Sequence, residues 1–259
     1  MAGGSRSANI PWLVLRAELA GTAALVLVGL SFVILMFGEG SPIPRVLPSE
    51  GWRRLITGFL FGSTGALIAL SPVGERSGAH INPIVTRAFR WMGKLDLRPS
   101  LGSVVAQLAG AILGSVPLLV WGGMGRSVAF GATVPGTGYG VGAVLLGEVV
   151  TTFAMVTLLC VFLGFRRIRP FTPAIFPILY AVMVYAESPI SGTSTNPARS
   201  LGPAVISGQW DGWWIYWVGP VIGSVAACLV CSALAKRITV AKLYHFDSDH
   251  DRLLRRTSR

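Results

Sequence analysis

Residues 77–84 read SGAHINPI and residues 191–198 read SGTSTNPA, so the chain carries the pattern Ser-Gly-x-x-x-Asn-Pro twice. Each copy leads into a short apolar stretch, at residues 82–91 and 196–206. A helix of about 10 residues is only ~15 Å long, too short to cross a hydrocarbon layer of ~30 Å. Two such helices that enter from opposite faces and meet end to end would cross it together. This pair of stretches therefore predicts a fold in which two half-helices meet inside the membrane.

Other parts of the chain repeat in the same order, so the sequence consists of two related halves. One pair of segments places an acid near the start of an apolar stretch, and the other pair shares a Gly-x-x-x-Gly-Ser pattern. These pairs are residues 17–22 with 146–151, and residues 110–115 with 219–224. We predict a first repeat over about 12–122, a second over about 141–235, and a cytoplasmic tail over 236–259.

The composition is that of a membrane protein. Hydrophobic residues make up 52% of the chain and charged residues only 13%, against about a quarter charged in soluble domains. The apolar blocks lie near residues 12–37, 53–72, 100–122, 141–163, 172–187 and 213–235. The predicted fold is all-α and polytopic, with six transmembrane helices and two half-helices. Because three spans is an odd number, the second repeat is inverted relative to the first, which places a site between the repeats.

The net charge of +11 has a topological meaning in such a chain. Lys and Arg concentrate in the cytoplasmic loops of membrane proteins. With both termini in the cytoplasm, all but five of the 22 Lys and Arg residues fall on that side. The five exceptions are Arg45, Arg53, Arg54, Arg126 and Arg199. We therefore expect cytoplasmic termini, a basic tail near anionic lipid of the bilayer, and no nucleic-acid partner.

The Asn-Pro pairs predict how each half-helix begins. Proline is favoured at the first helical position, and asparagine is a preferred N-cap whose side-chain oxygen accepts from the first turn. The amide NH₂ groups of Asn82 and Asn196 would then stay free as donors, side by side at the membrane midplane. Irregular backbone at that depth requires a buried or wet setting. The converging positive helix ends would oppose cations and protons there.

These motifs resemble those of the major intrinsic proteins, the family of aquaporins and aquaglyceroporins, and the likeness covers nearly the whole chain. The family's two Asn-Pro-Ala boxes correspond to Asn82-Pro83-Ile84 and Asn196-Pro197-Ala198. Ile84 replaces the small alanine, which predicts bulkier packing where the boxes meet. The resemblance implies a single channel domain over 1–259, a water channel with one pore per subunit, a homotetramer and a location in the cell membrane.

The resemblance also assigns three polar residues near the boxes. Glu18 and Glu148 match buried glutamates that hold the loop backbone behind the boxes, which is a structural role. His80 matches a loop histidine at the cytoplasmic vestibule. It would either line the pore or tie down the loop, and the sequence favours neither.

The selectivity filter implied by the resemblance has four members. Arg199 and Thr193 flank the second box, Val184 comes from the fifth span, and ungapped counting gives Gly62 on the second span. A shift of one residue would put Phe61 in the place of Gly62. An arginine inside a membrane segment is costly and usually functional, and here it would donate to permeants and repel cations.

The filter residues predict a relaxed water channel. Water-selective relatives carry histidine at the fifth-span position, whereas the histidines of this chain are His80, His245 and His250. A filter with Val184 and Gly62 would be wider and more apolar, and would admit small uncharged solutes. Ser200 and Ala204 nevertheless resemble the water branch rather than the glycerol branch.

Two alternatives to a water channel remain open. A glycerol, urea or ammonia facilitator would use the same fold. A coupled secondary transporter would need intramembrane ionisable groups, and only Glu187 among the candidates lacks a counterpart in the family. The sequence contains no nucleophile–base pair and no metal-ligand cluster, so we expect neither an enzyme nor a cofactor or metal. The three cysteines lie in apolar blocks, at spacings that indicate neither metal binding nor disulfides.

Overall fold

The computed structural model describes residues 12–240 and residue 242. Most of the tail predicted at 236–259 therefore lies outside the described residues. The described part contains twelve α-helices, which are α1 Trp12–Phe37, α2 Ile43–Val46, α3 Glu50–Leu70, α4 Pro72–Ser77, α5 Pro83–Trp91, α6 Leu97–Ser115, α7 Gly122–Arg126, α8 Val141–Gly164, α9 Thr172–Ser191, α10 Pro197–Ser207, α11 Ile215–Val230 and α12 Ser232–Ala235. Three 3-10 helices lie at Val116–Trp121, Ala129–Gly131 and Arg169–Phe171.

The six predicted spans correspond to α1, α3, α6, α8, α9 and α11, and the half-helices are α5 and α10. Four segments of the described chain are long and apolar enough to cross a membrane: Trp12–Phe37, Leu97–Arg126, Val141–Gly164 and Arg169–Ser191. The other two spans are α3, which begins with the charged residues Glu50, Arg53 and Arg54, and α11, which has 16 residues. The fold is thus an all-α membrane bundle.

Two predicted boundaries moved. Helix α3 starts at Glu50 rather than at residue 53, because the side chain of Ser49 accepts from the backbone N–H of Trp52 and caps the helix there. Helix α9 continues through Glu187 to Ser191, past the predicted end at 187. Glu187 is buried, and the hydrogen bond that it accepts from the hydroxyl group of Thr193 offsets part of the cost of burying an acid.

The packing repeats along with the sequence. Helix α1 packs on α6 as α8 packs on α11, and α3 packs on α9 between the repeats. Glycines make these approaches possible, as small residues do at membrane helix crossings. A Cβ at Gly114 would lie 2.3 Å from the carbonyl oxygen of Ala23, and a Cβ at Gly223 would lie 2.4 Å from that of Val149. The repeat is therefore visible in the helix contacts as well as in the sequence.

Candidate pore and selectivity filter

Each half-helix begins at an Asn-Pro pair, with proline at its first position. Asn82 caps α5 by accepting from the backbone N–H of Ile84 at 2.8 Å. Asn196 caps α10 by accepting from Ala198 at 3.0 Å and from Arg199 at 3.4 Å. The start of both half-helices follows from the preference of asparagine for the N-cap and of proline for the next position.

The loops that lead into the two half-helices share an unusual backbone. Ala79 and Ile81 have φ values of 52° and 42°, and the corresponding Thr193 and Thr195 have values of 52° and 51°. Side chains other than glycine rarely adopt this left-handed region, and β-branched residues do so at a cost. The loops therefore depend on contacts from the surrounding helices.

Two buried glutamates supply those contacts at equivalent positions. Glu18 on α1 accepts from the backbone N–H groups of His80 at 3.0 Å and Ile81 at 2.7 Å. Glu148 on α8 accepts from those of Ser194 at 2.7 Å and Thr195 at 2.9 Å. Hydrogen bonds to a carboxylate are stronger than those between neutral groups, so each acid holds its loop in the strained form.

Each glutamate has a further partner that the sequence did not reveal. Gln107 donates from Nε2 to Glu18 Oε2 at 2.6 Å, and the hydroxyl group of Ser191 donates to Glu148 Oε1 at 2.6 Å. The sequence signal for Gln107 was a glutamine inside an apolar stretch, and the structure buries it fully. No such sequence signal marks Ser191, because a serine near the end of a helix is common.

The two box asparagines also bind each other's loops. Asn82 Nδ2 donates to the carbonyl oxygen of Thr195, and Asn196 Nδ2 donates to that of Ile81, both at 3.0 Å. The prediction that the whole NH₂ group of each amide stays free is therefore wrong. One N–H of each side chain joins the half-helices, which leaves one N–H of each for a permeant.

Two cavities lie on either side of this junction. The outer cavity, of about 280 Å³, lies toward Glu50 and Arg54, and its wall includes Val184, Thr193 and Arg199. The inner cavity, of about 40 Å³, is lined by Gly62, His80, Asn82 and Asn196 among others. Phe61 and Tyr180 line both cavities. Three predicted filter residues, Val184, Thr193 and Arg199, thus line the outer cavity, whereas His80 lines the inner cavity together with both box asparagines.

Four box residues lie away from the cavities. Pro83, Ile84, Pro197 and Ala198 are buried, and Ile84 and Ala198 belong to the hydrophobic core. Ile84 is therefore absorbed by packing behind the half-helix and lines neither of the two cavities.

His80 does both things that the sequence left open. It lines the inner cavity, and its Nδ1 lies 3.2 Å from the hydroxyl oxygen of Thr86. Its ring centroid is 4.6 Å from that of Phe89. The side chain is thus fixed on both a polar and an aromatic neighbour while it faces the cavity.

Arg199 lies in the wall of the outer cavity. Its Nη1 donates to the carbonyl oxygen of Gly131 at 2.7 Å, and its guanidinium carbon lies 5.8 Å from the centroid of the Phe61 ring. Within the described part of the chain the ion pair joins Arg54 and Glu50, at 3.3 Å, and does not involve Arg199. The guanidinium group of Arg199 is therefore held by a carbonyl group and an aromatic face, and it forms no direct ion pair with a described carboxylate.

Of the two candidates on the second span, Phe61 lines the outer cavity together with Arg199, whereas Gly62 lines only the inner cavity. A Cβ on Gly62 would lie 2.5 Å from the carbonyl oxygen of Phe176 on α9, so this glycine lies at the crossing of α3 and α9. The preceding residue points about 100° away around the helix, which turns Phe61 toward Arg199. The structure therefore favours Phe61, the second of the two alternatives, as the residue beside Arg199.

We expect Gly62→Ala to destabilise the protein through this crossing. Overpacking of a close contact costs about 1–3 kcal/mol, which exceeds the gain of up to about 1 kcal/mol from replacing glycine inside a helix. Gly65→Ala is the matched control, because its Cβ would meet only Leu25 Cδ1, at 3.8 Å. Thermal unfolding in detergent should show a lower midpoint for Gly62→Ala alone, and equal midpoints would contradict the assignment.

A bundle of apolar helices with two half-helices that meet at paired amides defines the protein by class as a polytopic helical membrane protein. The family profile described as "Major intrinsic protein" matches residues 7–231. The chain therefore belongs to the major intrinsic protein family and is a multi-pass membrane protein.

Three relatives illustrate the range of the similarity. Aquaporin-4 of Mus musculus is 33% identical over 224 residues, which cover 83% of this chain and 65% of the relative. Aquaporin NIP1-1 of Zea mays is 34% identical over 211 residues, which cover 81% of this chain and 70% of that relative. The solved structure of the aquaglyceroporin from Plasmodium falciparum superposes with a TM-score of 0.71 at 19% identity, over 86% of this chain and 98% of that one. The chain spans about 65% of the length of the aquaporin-4 relatives.

Proposed function

We propose that this chain is a passive channel for water, with passage for small uncharged solutes and exclusion of ions and protons. The observation that carries this proposal is the pairing of Asn82 and Asn196 beside the inner cavity, each with one amide N–H left for a permeant. A water molecule whose oxygen accepts from these two donors turns its hydrogens away, toward the neighbouring water molecules in the pore. The positive ends of α5 and α10 repel cations at the same point.

The other site residues act in sequence along the path. Arg199, Thr193, Val184 and Phe61 form the filter at the outer cavity, and Arg199 adds a fixed positive charge there. His80 contributes to the inner cavity, and Glu18 and Glu148 keep the box loops in place. An aromatic residue at the filter favours water over bulky solutes, because pores discriminate by diameter and lining chemistry.

The assembly and orientation complete the proposal. The channel lies in the cell membrane with both termini in the cytoplasm, as the distribution of Lys and Arg favours. The two repeats, 12–122 and 141–235, form one domain around one pore. Four copies assemble into a homotetramer in which each subunit conducts separately, with water, small uncharged solutes and the lipid bilayer as its partners.

Stopped-flow light scattering on proteoliposomes tests the activity. Under an impermeant osmolyte, vesicles that contain the protein should shrink faster than empty vesicles. In an inward glycerol or urea gradient they should re-swell slowly, and a proton ionophore should leave the water flux unchanged. Rapid glycerol re-swelling would replace the proposal with a glycerol facilitator, and a flux abolished by the ionophore would replace it with a coupled transporter.

A further inference from the structure

Tyr180 on α9 occupies a place that neither the boxes nor the four filter positions account for. Phe61 and Tyr180 are the residues shared by the walls of both cavities, whereas Val184 contributes to the outer cavity. The outer cavity of about 280 Å³ has room for several small molecules. The inner cavity is much smaller, at about 40 Å³. The change from one size to the other therefore occurs at Phe61 and Tyr180.

The two rings form one continuous wall. Their centroids are 5.7 Å apart, with an angle of 30° between the ring planes. Aromatic rings in contact have centroids about 4.5–7 Å apart, so no permeant passes between them. A permeant instead moves along their surface, from the region of Arg199 to that of Asn196. Any solute too large for the remaining space is stopped there, whatever the size of the outer cavity.

Hydrogen bonds fix the position of the Tyr180 ring. Its hydroxyl oxygen lies 2.9 Å from the hydroxyl oxygen of Thr195. The hydroxyl group of Tyr180 also donates to Met155 Sδ at 3.4 Å. Thr195 directly precedes Asn196 and also accepts from Asn82. The ring is thus attached to α9 at one end and to the junction of the boxes at the other.

We propose that Tyr180, rather than Val184, is the side chain of α9 that sets the largest solute the channel admits. This inference rests on the proposed function, because it concerns the selectivity of the same path. Phe61 supplies the facing part of the wall, and Val184 forms part of the wider entrance.

The test compares four variants in proteoliposomes by stopped flow, with water, urea and glycerol as probes. Tyr180→Val should raise glycerol and urea permeability by about tenfold, which corresponds to a barrier lower by about 1.4 kcal/mol. Tyr180→Phe keeps the ring and should retain the low wild-type permeability to both solutes. Val182→Ala is the matched control and should retain it too, because Val182 is exposed on the same helix and lies outside both cavities.

The outcomes separate this inference from the function itself. A Val184→Ala variant that gains as much glycerol permeability as Tyr180→Val, or a water-conducting Tyr180→Val that gains none, would overturn the role of Tyr180. Wild-type vesicles that conduct no water would overturn the proposed function first. If Tyr180→Val does not fold, Tyr180→Leu retains more of the buried apolar volume and carries the same expectation.

Discussion

Arg199→Ala should let cations and protons through a channel that otherwise excludes them. The guanidinium group is buried in the wall of the outer cavity, with the carbonyl oxygen of Gly131 as its hydrogen-bond acceptor. A fixed charge in a poorly solvated passage repels cations far more strongly than it would in water. We expect the alanine variant to raise the ion or proton leak by about tenfold or more, since each 1.36 kcal/mol of barrier is a factor of ten.

The measurement is proton entry into proteoliposomes that contain a pH-sensitive dye, with the membrane potential set by potassium and valinomycin. Arg126→Ala is the matched control, because Arg126 is exposed and lies outside the two cavities. Arg199→Lys keeps the charge without the planar guanidinium group and should exclude protons nearly as well as the wild type. If the Arg199→Ala variant conducts water and its proton permeability is as low as that of Arg126→Ala, Arg199 does not exclude protons from the pore.

The six spans and both half-helices could be predicted because they rest on signals that repeat in the sequence. Apolar blocks mark the spans, and the same Asn-Pro pattern in both halves marks α5 and α10. The fifth span was predicted too short because Glu187 interrupts the apolar pattern, while the helix continues to Ser191. Thr193, which donates a hydrogen bond to this acid, lies in the following loop, and a hydropathy pattern cannot predict that contact.

The filter was harder to predict, because it depends on rotation about a helix axis. Ungapped counting gave Gly62, with Phe61 as the alternative. Gly62 packs against the backbone of Phe176, and this packing turns the neighbouring Phe61 toward Arg199. Tyr180 was missed because a tyrosine in an apolar block is usually a packing residue. The hydrogen bond donated by one N–H of each box amide was also not predicted, because its acceptor belongs to the opposite half of the chain.

Glu148→Ala should be the most destabilising single change near the boxes. The carboxylate accepts from the backbone of Ser194 and Thr195 and from the hydroxyl group of Ser191, at 2.6–2.9 Å. Its removal leaves three buried donors without an acceptor, and each such group costs about 1–3 kcal/mol. It also releases the left-handed backbone of Thr193 and Thr195. We expect a loss of about 3 kcal/mol or more, measured as a lower midpoint of thermal unfolding in detergent.

Two further variants make this result specific. Glu39→Ala removes an exposed acid and should leave the midpoint unchanged; a Glu148→Ala variant of equal stability would contradict the structural role. Glu148→Gln keeps one oxygen acceptor but adds N–H donors, so its loss of stability should be smaller. Because an amide cannot carry a proton as a carboxylate does, the folded fraction of Glu148→Gln also tests the transporter alternative. Water flux retained per folded molecule means that Glu148 holds the loop and relays no proton, whereas flux lost in a well-folded Glu148→Gln channel would favour proton coupling.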